Sequence, residues 1–381
     1  MSEGIYFKIE NRDFYVNQNM NSNYFQVESM PHPYKVSLNE KDEPIELINK
    51  LIAKNERDIL LIDENVYNLY CKNLKFPQNR IFKLSAIEEN KTISEVVKLI
   101  EFLQNRDFTK GENLIVVGGG ITQDIGGFVG ACYKRGINWT FVPTTLLSMC
   151  DSCIGGKIGI NHNNAKNQLA LFSSPYEVII NPKFLNTLSE KEVKSGLGEI
   201  LKLHIMAGRK TVDFYLGYMS KNKLSGLDYK KLILSALSIK KSIIEVDEFE
   251  SYYRKALNYG HTFGHAIEVL SEYAIPHGQA VIVGMIIANE FSYKYKLINL
   301  NEKQELFELG NQLIESSSFK MVSGKGILEL LKKDKKARGN IIDIVLIESF
   351  GSMKLFPIRL DSSLEEMVME VIGRLYIKIE S

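Results

Sequence analysis

Three of the six histidines in this 381-residue chain, His261, His265 and His277, fall within 17 positions of one another. In NYGHTFGHAIE, His261 and His265 are four apart, a spacing that places both imidazoles on one face of a helix. A divalent cation or a substrate could meet them there, although two core histidines would share the same spacing. His277 follows Pro276 near a predicted helix start. A catalytic divalent ion needs three protein ligands and one open position. Glu199, in SGLGEILKL, offers a carboxylate on an otherwise apolar helix with small residues around it. Lys202 lies three residues further along that helix, and Lys157 follows Gly155 and Gly156. Cations converging from such positions suit a phosphorylated or carboxylated substrate.

A second set of residues points to a nucleotide. Val116 and Val117 run into Gly118, Gly119 and Gly120, then Ile121, Thr122, Gln123 and Asp124, the pattern of a strand, a glycine turn and a helix start. Backbone without Cβ atoms can approach a pyrophosphate, whose charge is favoured by free N–H groups at a helix N-terminus. Glycines in a tight turn without a ligand would read the same way. Asp63, closing the apolar run ILLID, is placed either to hold a ribose hydroxyl or to serve as a strand-end turn carboxylate. Cys150 and Cys153 form C-x-x-C, but no second cysteine pair completes a structural zinc site and no redox-fold context surrounds them, so they read as buried thiols.

These groups have to be positioned by elements that the composition can build. Lys plus Arg total 47 against 46 Asp plus Glu, with 45% hydrophobic residues, which is ordinary globular composition and excludes disorder as the main state. The balance argues against a general nucleic-acid binder. No apolar run reaches the roughly 18 residues of a membrane span and no signal peptide is evident, so no membrane association and a cytoplasmic location are expected. Four cysteines are too few to staple such a chain. From ILLIDENV through ISEVVKLIEFLQN and NLIVVGGG to WTFVPTTLL, strands alternate with helices, which implies a parallel sheet with helices on its faces. The first ~45 residues read as short strands and turns. After Pro182 the periodicities are helical, with only DIVLIES and SMKLFPI as strands. The expected architecture is an α/β Rossmann-like domain over residues 1–181 and a mainly α-helical domain over 182–381.

Taken together, GGGITQDIGGFVGACYKRG, VPTTLLSMCDSCIGGKIGINHNNAKNQ, FLNTLSEKEVKSGLGEILK, LNYGHTFGHAIE and PHGQAVIVGM resemble the 3-dehydroquinate synthase family of sugar phosphate cyclases. The match runs in order from about Asp63 to Lys336. It implies a divalent metal, zinc or cobalt, held by Glu199, His261 and His277, with His265 binding substrate. NAD is implied to lie against Asp63, Glu88, Lys91, Gly119, Gly120, Ile121, Thr122, Gln123, Asp124, Thr144, Thr145 and the segment from Phe184 to Thr187. The family's remaining substrate and cofactor contacts match Arg135, Asp151, Lys157, Lys166, Asn167, Lys202, Lys240, Arg254, Asn258 and one of Lys335 or Lys336. The implied reaction is a carbon–oxygen lyase step of the shikimate pathway towards aromatic amino acids. It converts 3-deoxy-D-arabino-heptulosonate 7-phosphate to 3-dehydroquinate, releasing phosphate, with NAD regenerated in each turnover. A homodimer is also implied.

The chain departs from the family's commonest wording at Gln123, Ile158, Ala170 and Gln279. Gln123 is expected to put a side chain near the pyrophosphate, and Gln279 removes a charge two residues from a metal ligand. Both departures bear on the choice of substrate. The alternatives are therefore a sister cyclase of valiolone, inosose or amino-dehydroquinate type, or a metal-dependent polyol or glycerol phosphate dehydrogenase. A third alternative is a degenerate non-enzymatic copy, but such a copy would have lost ligands that survive here.

Overall fold

The computed structural model describes residues 4–16, 22–30, 32–163, 165–221, 223–315, 321–334 and 337–380, the side chains of 376–380 excepted. Lys335 and Lys336 lie outside the described residues. The chain forms two compact units, one of Asn19–Leu188 with Leu224–Leu237, the other of Met1–Gln18, Ser189–Lys223 and Ser238–Ser381.

In the first unit a seven-stranded sheet runs in the order Tyr24–Val27, Tyr34–Leu38, Glu177–Ile180, Asn138–Pro143, Asn113–Gly118, Ile59–Asp63, Ile81–Leu84. All neighbours are parallel except the first two strands. The central strands are continuous apolar runs because helices cover both faces, and Ile59, Leu60, Leu61 and Ile62 are fully buried. After Ile81–Leu84 the chain crosses back past Ile59–Asp63, so Asn113–Gly118 pairs on its other side, with Ile62 opposite Val117. The order of the strands therefore reverses between the carboxyl ends at Asp63 and Gly118, where open α/β sheets bind ligands. The helix Gly120–Cys132 lies close on the sheet because Gly126 and Gly127 carry no Cβ. One built at either would come within 2.6 Å of Val116 or Ile158. Lys157–His162 and Ala165–Phe172 make a separate hairpin.

The second unit is built on long helices, Glu190–Ala207, His261–Leu270 and His277–Lys294 among them. It also holds a four-stranded sheet ordered Ile341–Ser349, Ser352–Arg359, Ile5–Ile9, Arg12–Val16. The pairing of Ile5–Ile9 with Ser352–Arg359 is parallel. A cut after Asn181 is therefore not how the chain divides. The N-terminal hairpin completes the sheet of the C-terminal unit, where Phe7, Ile9, Phe14 and Val16 are buried. Residues 224–237 belong with the α/β unit, to which Lys230 is tied through Asn23 at 2.8 Å and Glu40 at 2.5 Å. No helix among the described residues is long and apolar enough to cross a membrane.

Candidate active site

Three helices of the second unit approach closely at glycines. A Cβ on Gly278 would lie 1.8 Å from the Ser195 carbonyl oxygen, and one on Gly284 would lie 1.9 Å from that of Gly260. Gly260 itself has φ +78°, a left-handed conformation that heads the helix beginning at His261. This close packing brings Glu199, His261 and His277 together from three helices, with their ligating atoms all within 4.8 Å of one another. Glu199 Oε1 is 3.6 Å from His261 Nε2 and 3.5 Å from His277 Nε2.

Glu199 is fully buried, and its Oε1 has no hydrogen-bond partner. Leaving a buried carboxylate oxygen unsatisfied is costly, and a cation held with the two imidazoles would satisfy it. The donor set of two imidazole nitrogens and one carboxylate oxygen suits a first-row divalent ion such as zinc. Its other oxygen accepts from the buried Lys202 Nζ. The His261 Nδ1 faces the Tyr259 carbonyl at 3.2 Å, which turns Nε2 toward Glu199. Burial, then the neighbouring Lys202 and the other two histidines, hold the His261 imidazole well below its usual pKa, so its nitrogen lone pair is available at neutral pH. His265 is exposed, its ring centroid 5.4 Å from that of His261 and 5.8 Å from that of His277.

The remaining expected residues of this unit are more dispersed. Lys240 is buried, and Arg254 is buried with its guanidinium donating to the Glu248 carbonyl. Asn258 donates to Glu250 Oε1 at 2.5 Å. The loop before them is held by Asp247, which accepts from the backbone N–H groups of Ser251, Tyr252 and Arg254.

In the α/β unit the glycine turn lies at the sheet's reversal point. The helix that begins at Gly120 has no side-chain cap at Gly119, and a Cβ on Gly120 would meet nothing within 4 Å. Thr122 Oγ1, in the first turn, is buried without a hydrogen-bond partner. An open turn, an uncapped helix start and an unsatisfied hydroxyl fit a phosphate group. Thr144 donates its N–H to the Gly118 carbonyl at 3.0 Å, and Thr145 Oγ1 lies 2.8 Å from Ser148 Oγ, heading the turn Ser148–Ser152 that carries the half-buried Asp151. Asp63 caps the helix Glu64–Tyr70 by accepting from Asn65 N–H at 2.8 Å.

The buried Lys91 links the half-buried Asp124 to the exposed Asn167. Lys91 Nζ donates to Asp124 Oδ2 at 2.7 Å and to Asn167 Oδ1 at 2.8 Å, while Asp124 Oδ1 accepts from Gly159 N–H. Burial pushes the Asp124 carboxyl pKa up, against the pull of Lys91. Glu88 accepts from Asn161 at 2.8 Å and lies 3.8 Å from Lys166 Nζ. Phe184 is buried, and Thr187 is exposed with its hydroxyl 2.6 Å from that of Tyr70. Lys157 and Arg135 are exposed, Lys157 at the head of its strand and Arg135 at φ +61°.

The departures turn out to be occupied with their own packing. Gln123 is buried and exchanges two hydrogen bonds with Ser152, donating to its carbonyl at 2.7 Å and accepting from its hydroxyl at 2.6 Å. Its side-chain amide is thus paired with Ser152 in the turn next to the helix. Gln279 is fully buried and accepts from Glu315 N–H at 3.0 Å while donating to the Lys191 carbonyl. Ile158 packs against Gly127, and Ala170 is exposed on the hairpin. Cys150 and Cys153 are buried free thiols, as expected. Sequence reasoning missed Glu268, which is 4% exposed and accepts from His277 Nδ1 at 3.1 Å. The available signal was an acid on the apolar face of the helix that carries His261.

The arrangement of a parallel-sheet α/β unit and a helical unit is a fold shared with solved sugar phosphate cyclases. A 2-deoxy-scyllo-inosose synthase structure, described as complexed with carbaglucose-6-phosphate, NAD+ and Co2+, superposes with a TM-score of 0.77 at 23% identity, covering 91% of this chain and 99% of its own. The 2-epi-5-epi-valiolone synthase from Streptomyces hygroscopicus subsp. jinggangensis, with NAD+ and Zn2+ bound, gives 0.75 at 19%, covering 92% and 100%. The chain belongs to the 3-dehydroquinate synthase family. The models for the N-terminal and C-terminal parts of that synthase match residues 81–195 and 196–337. The 3-dehydroquinate synthase of Dictyoglomus turgidum is 36% identical over 318 residues, 81% of this chain and 87% of that protein.

Proposed function

We propose that the chain converts 3-deoxy-D-arabino-heptulosonate 7-phosphate to 3-dehydroquinate with release of phosphate, using NAD and one divalent metal ion. The observation that carries the reading is the buried, partnerless Oε1 of Glu199 facing Nε2 of both His261 and His277, in a chain of this family. When bound, a zinc or cobalt ion stabilises negative charge developing at a substrate hydroxyl, and NAD accepts a hydride and returns it within the same turnover.

The residues of this chain supply the rest. Glu199, His261 and His277 would hold the ion, and Lys202 compensates the charge of a carboxylate that would otherwise be buried alone. Gly119 to Asp124 would receive the pyrophosphate at the helix start, with Thr144, Thr145 and Asp151 beside the turn, Glu88, Lys91 and Lys166 behind it, and Phe184 to Thr187 against the nucleotide. Asp63 has one carboxylate oxygen committed to its helix cap, and the other is assigned to a ribose hydroxyl. His265 is exposed beside the two ligand histidines, where it can hydrogen-bond a substrate oxygen and carry a proton. The cations Lys157, Arg135, Lys240 and Arg254, with Asn167 and Asn258, are assigned to the phosphate and carboxylate of the substrate. Lys91, paired with Asp124, also donates to Asn167 Oδ1, and Asn167 has φ +52°. Steady phosphate release with sub-stoichiometric NAD and no net NADH tests the reading, since a simple dehydrogenase would accumulate NADH instead.

A further inference from the structure

We infer that Glu268 is a positioning residue that selects which nitrogen of His277 faces Glu199, an inference that rests on the metal assignment above. Glu268 lies two turns beyond His261 on the same helix, at a position whose neighbours Ala266 and Ile267 are also buried, and it is itself 4% exposed. A carboxylate is seldom buried this deeply without a partner, and here the partner is His277 Nδ1, 3.1 Å from Oε2. The opposite ring nitrogen, Nε2, lies 3.5 Å from Glu199 Oε1. His277 is thus strung between two buried carboxylates contributed by two different helices.

An ionised carboxylate can only accept, so Nδ1 carries the hydrogen and donates it to Glu268, leaving Nε2 with a lone pair. His277 is the first residue of its helix, after Pro276, and its side chain is 29% exposed, so packing alone does not fix which way the ring faces. The Tyr259 carbonyl does the same for His261 through its Nδ1. The two ligand histidines are therefore oriented by different acceptors, a backbone carbonyl for one and a carboxylate for the other. Glu268, His265 and His277 also offer ligating atoms within 4.8 Å of one another. A cation there would have to displace the Nδ1 hydrogen from Glu268, whereas the positioning role uses each atom once.

The test needs no turnover. Metal-stripped protein is titrated with Co(II) against a chromophoric chelator, for the wild type, Glu268→Gln, Glu268→Leu and His261→Ala. Removing a carboxylate that orients a ligating histidine weakens metal binding by about 10–100-fold. Glu268→Leu is expected to show that loss with an altered visible Co(II) band. Glu268→Gln, whose carbonyl oxygen can still accept from Nδ1, should recover most of the affinity and the wild-type band. Independently, ¹⁵N correlation spectra of histidine-labelled wild type should show His277 protonated at Nδ1, its signal identified by its loss in His277→Gln. This arm stands even if the leucine variant does not fold. Wild-type affinity and spectrum in Glu268→Leu, or a His277 protonated at Nε2, would overturn the inference while leaving the metal site intact. Failure of the wild type itself to bind one divalent ion per chain would instead overturn the reading beneath it.

Discussion

Gln123 and Gln279 show how far residue identity alone carries. Each stands where the family usually has another residue, and the sequence suggests a change in what is bound. In the structure each amide is consumed by the protein, Gln123 by Ser152 and Gln279 by Glu315 and Lys191. Partner identity across 29 or 36 residues of chain is invisible to a linear motif. Gln123→Ala is accordingly expected to lower the stability of the α/β unit by about 1–3 kcal/mol, the cost of two lost buried hydrogen bonds, and to leave the affinity for NAD nearly unchanged. Denaturant unfolding and NAD titration of the same variant check both halves. The histidines were more legible, because the i, i+4 spacing and the proline before His277 are local signals. Their separate roles predict separate failures. His261→Ala should lose the bound ion and turnover together, whereas His265→Ala should keep the ion and slow turnover by roughly 10²–10⁴-fold, as expected for a lost proton carrier. Metal content measured alongside rate distinguishes the two.

At the scale of elements, the apolar periodicity of SEKEVKSGLGEILKLHIM marks a helix, but its glycines acquire meaning only from the neighbours they admit. Gly198 meets Gly278 and Ile282 of another helix, and that approach allows Glu199 to reach His277. The same helix buries His204 in its last turn, with Nδ1 donating to the Ile200 carbonyl at 2.6 Å and the ring stacked 6.0 Å from Phe214. Burial pushes its pKa down to about 4, from an ordinary 6.5. The folded protein therefore binds fewer protons than the unfolded chain between these values. Its contribution to stability is complete above pH 6.5 and is lost as pH falls toward 4. Replacing it by His204→Gln should remove that dependence, making the loss of stability between about pH 7 and pH 5 smaller by about 2 kcal/mol. Urea midpoints of the two proteins at each pH measure the difference. The N-terminal hairpin was the least legible element. Its alternation announces strands, yet nothing local pairs Ile5–Ile9 with Ser352–Arg359, or sends Glu10 to accept from Leu355 N–H 345 residues away. Through Phe14 and Arg12 the hairpin also packs on Tyr253, beside Arg254.

For the whole molecule, the alternation of strands and helices from Asp58 to Ile180 was enough to identify a parallel sheet and to place its ligand end, because periodicity and strand order follow from local chemistry. The division of the chain was not legible in the same way. Residues 4–16 and 224–237 each fold with a unit from which the sequence separates them, held by contacts such as Lys230 to Glu40 that only the tertiary structure reveals. The residues assigned to the nucleotide belong to one unit and the metal ligands to the other, so the decisive test is one whose result requires both assignments. That measurement is phosphate release from the zinc-loaded protein supplied with sub-stoichiometric NAD and 3-deoxy-D-arabino-heptulosonate 7-phosphate. Sedoheptulose 7-phosphate and glucose 6-phosphate are offered in parallel, and products are read by mass and NMR. The account predicts many phosphates released per NAD from the heptulosonate alone, 3-dehydroquinate as product and no accumulation of NADH. Turnover confined to another sugar phosphate, or NADH rising in step with substrate consumed, would contradict it.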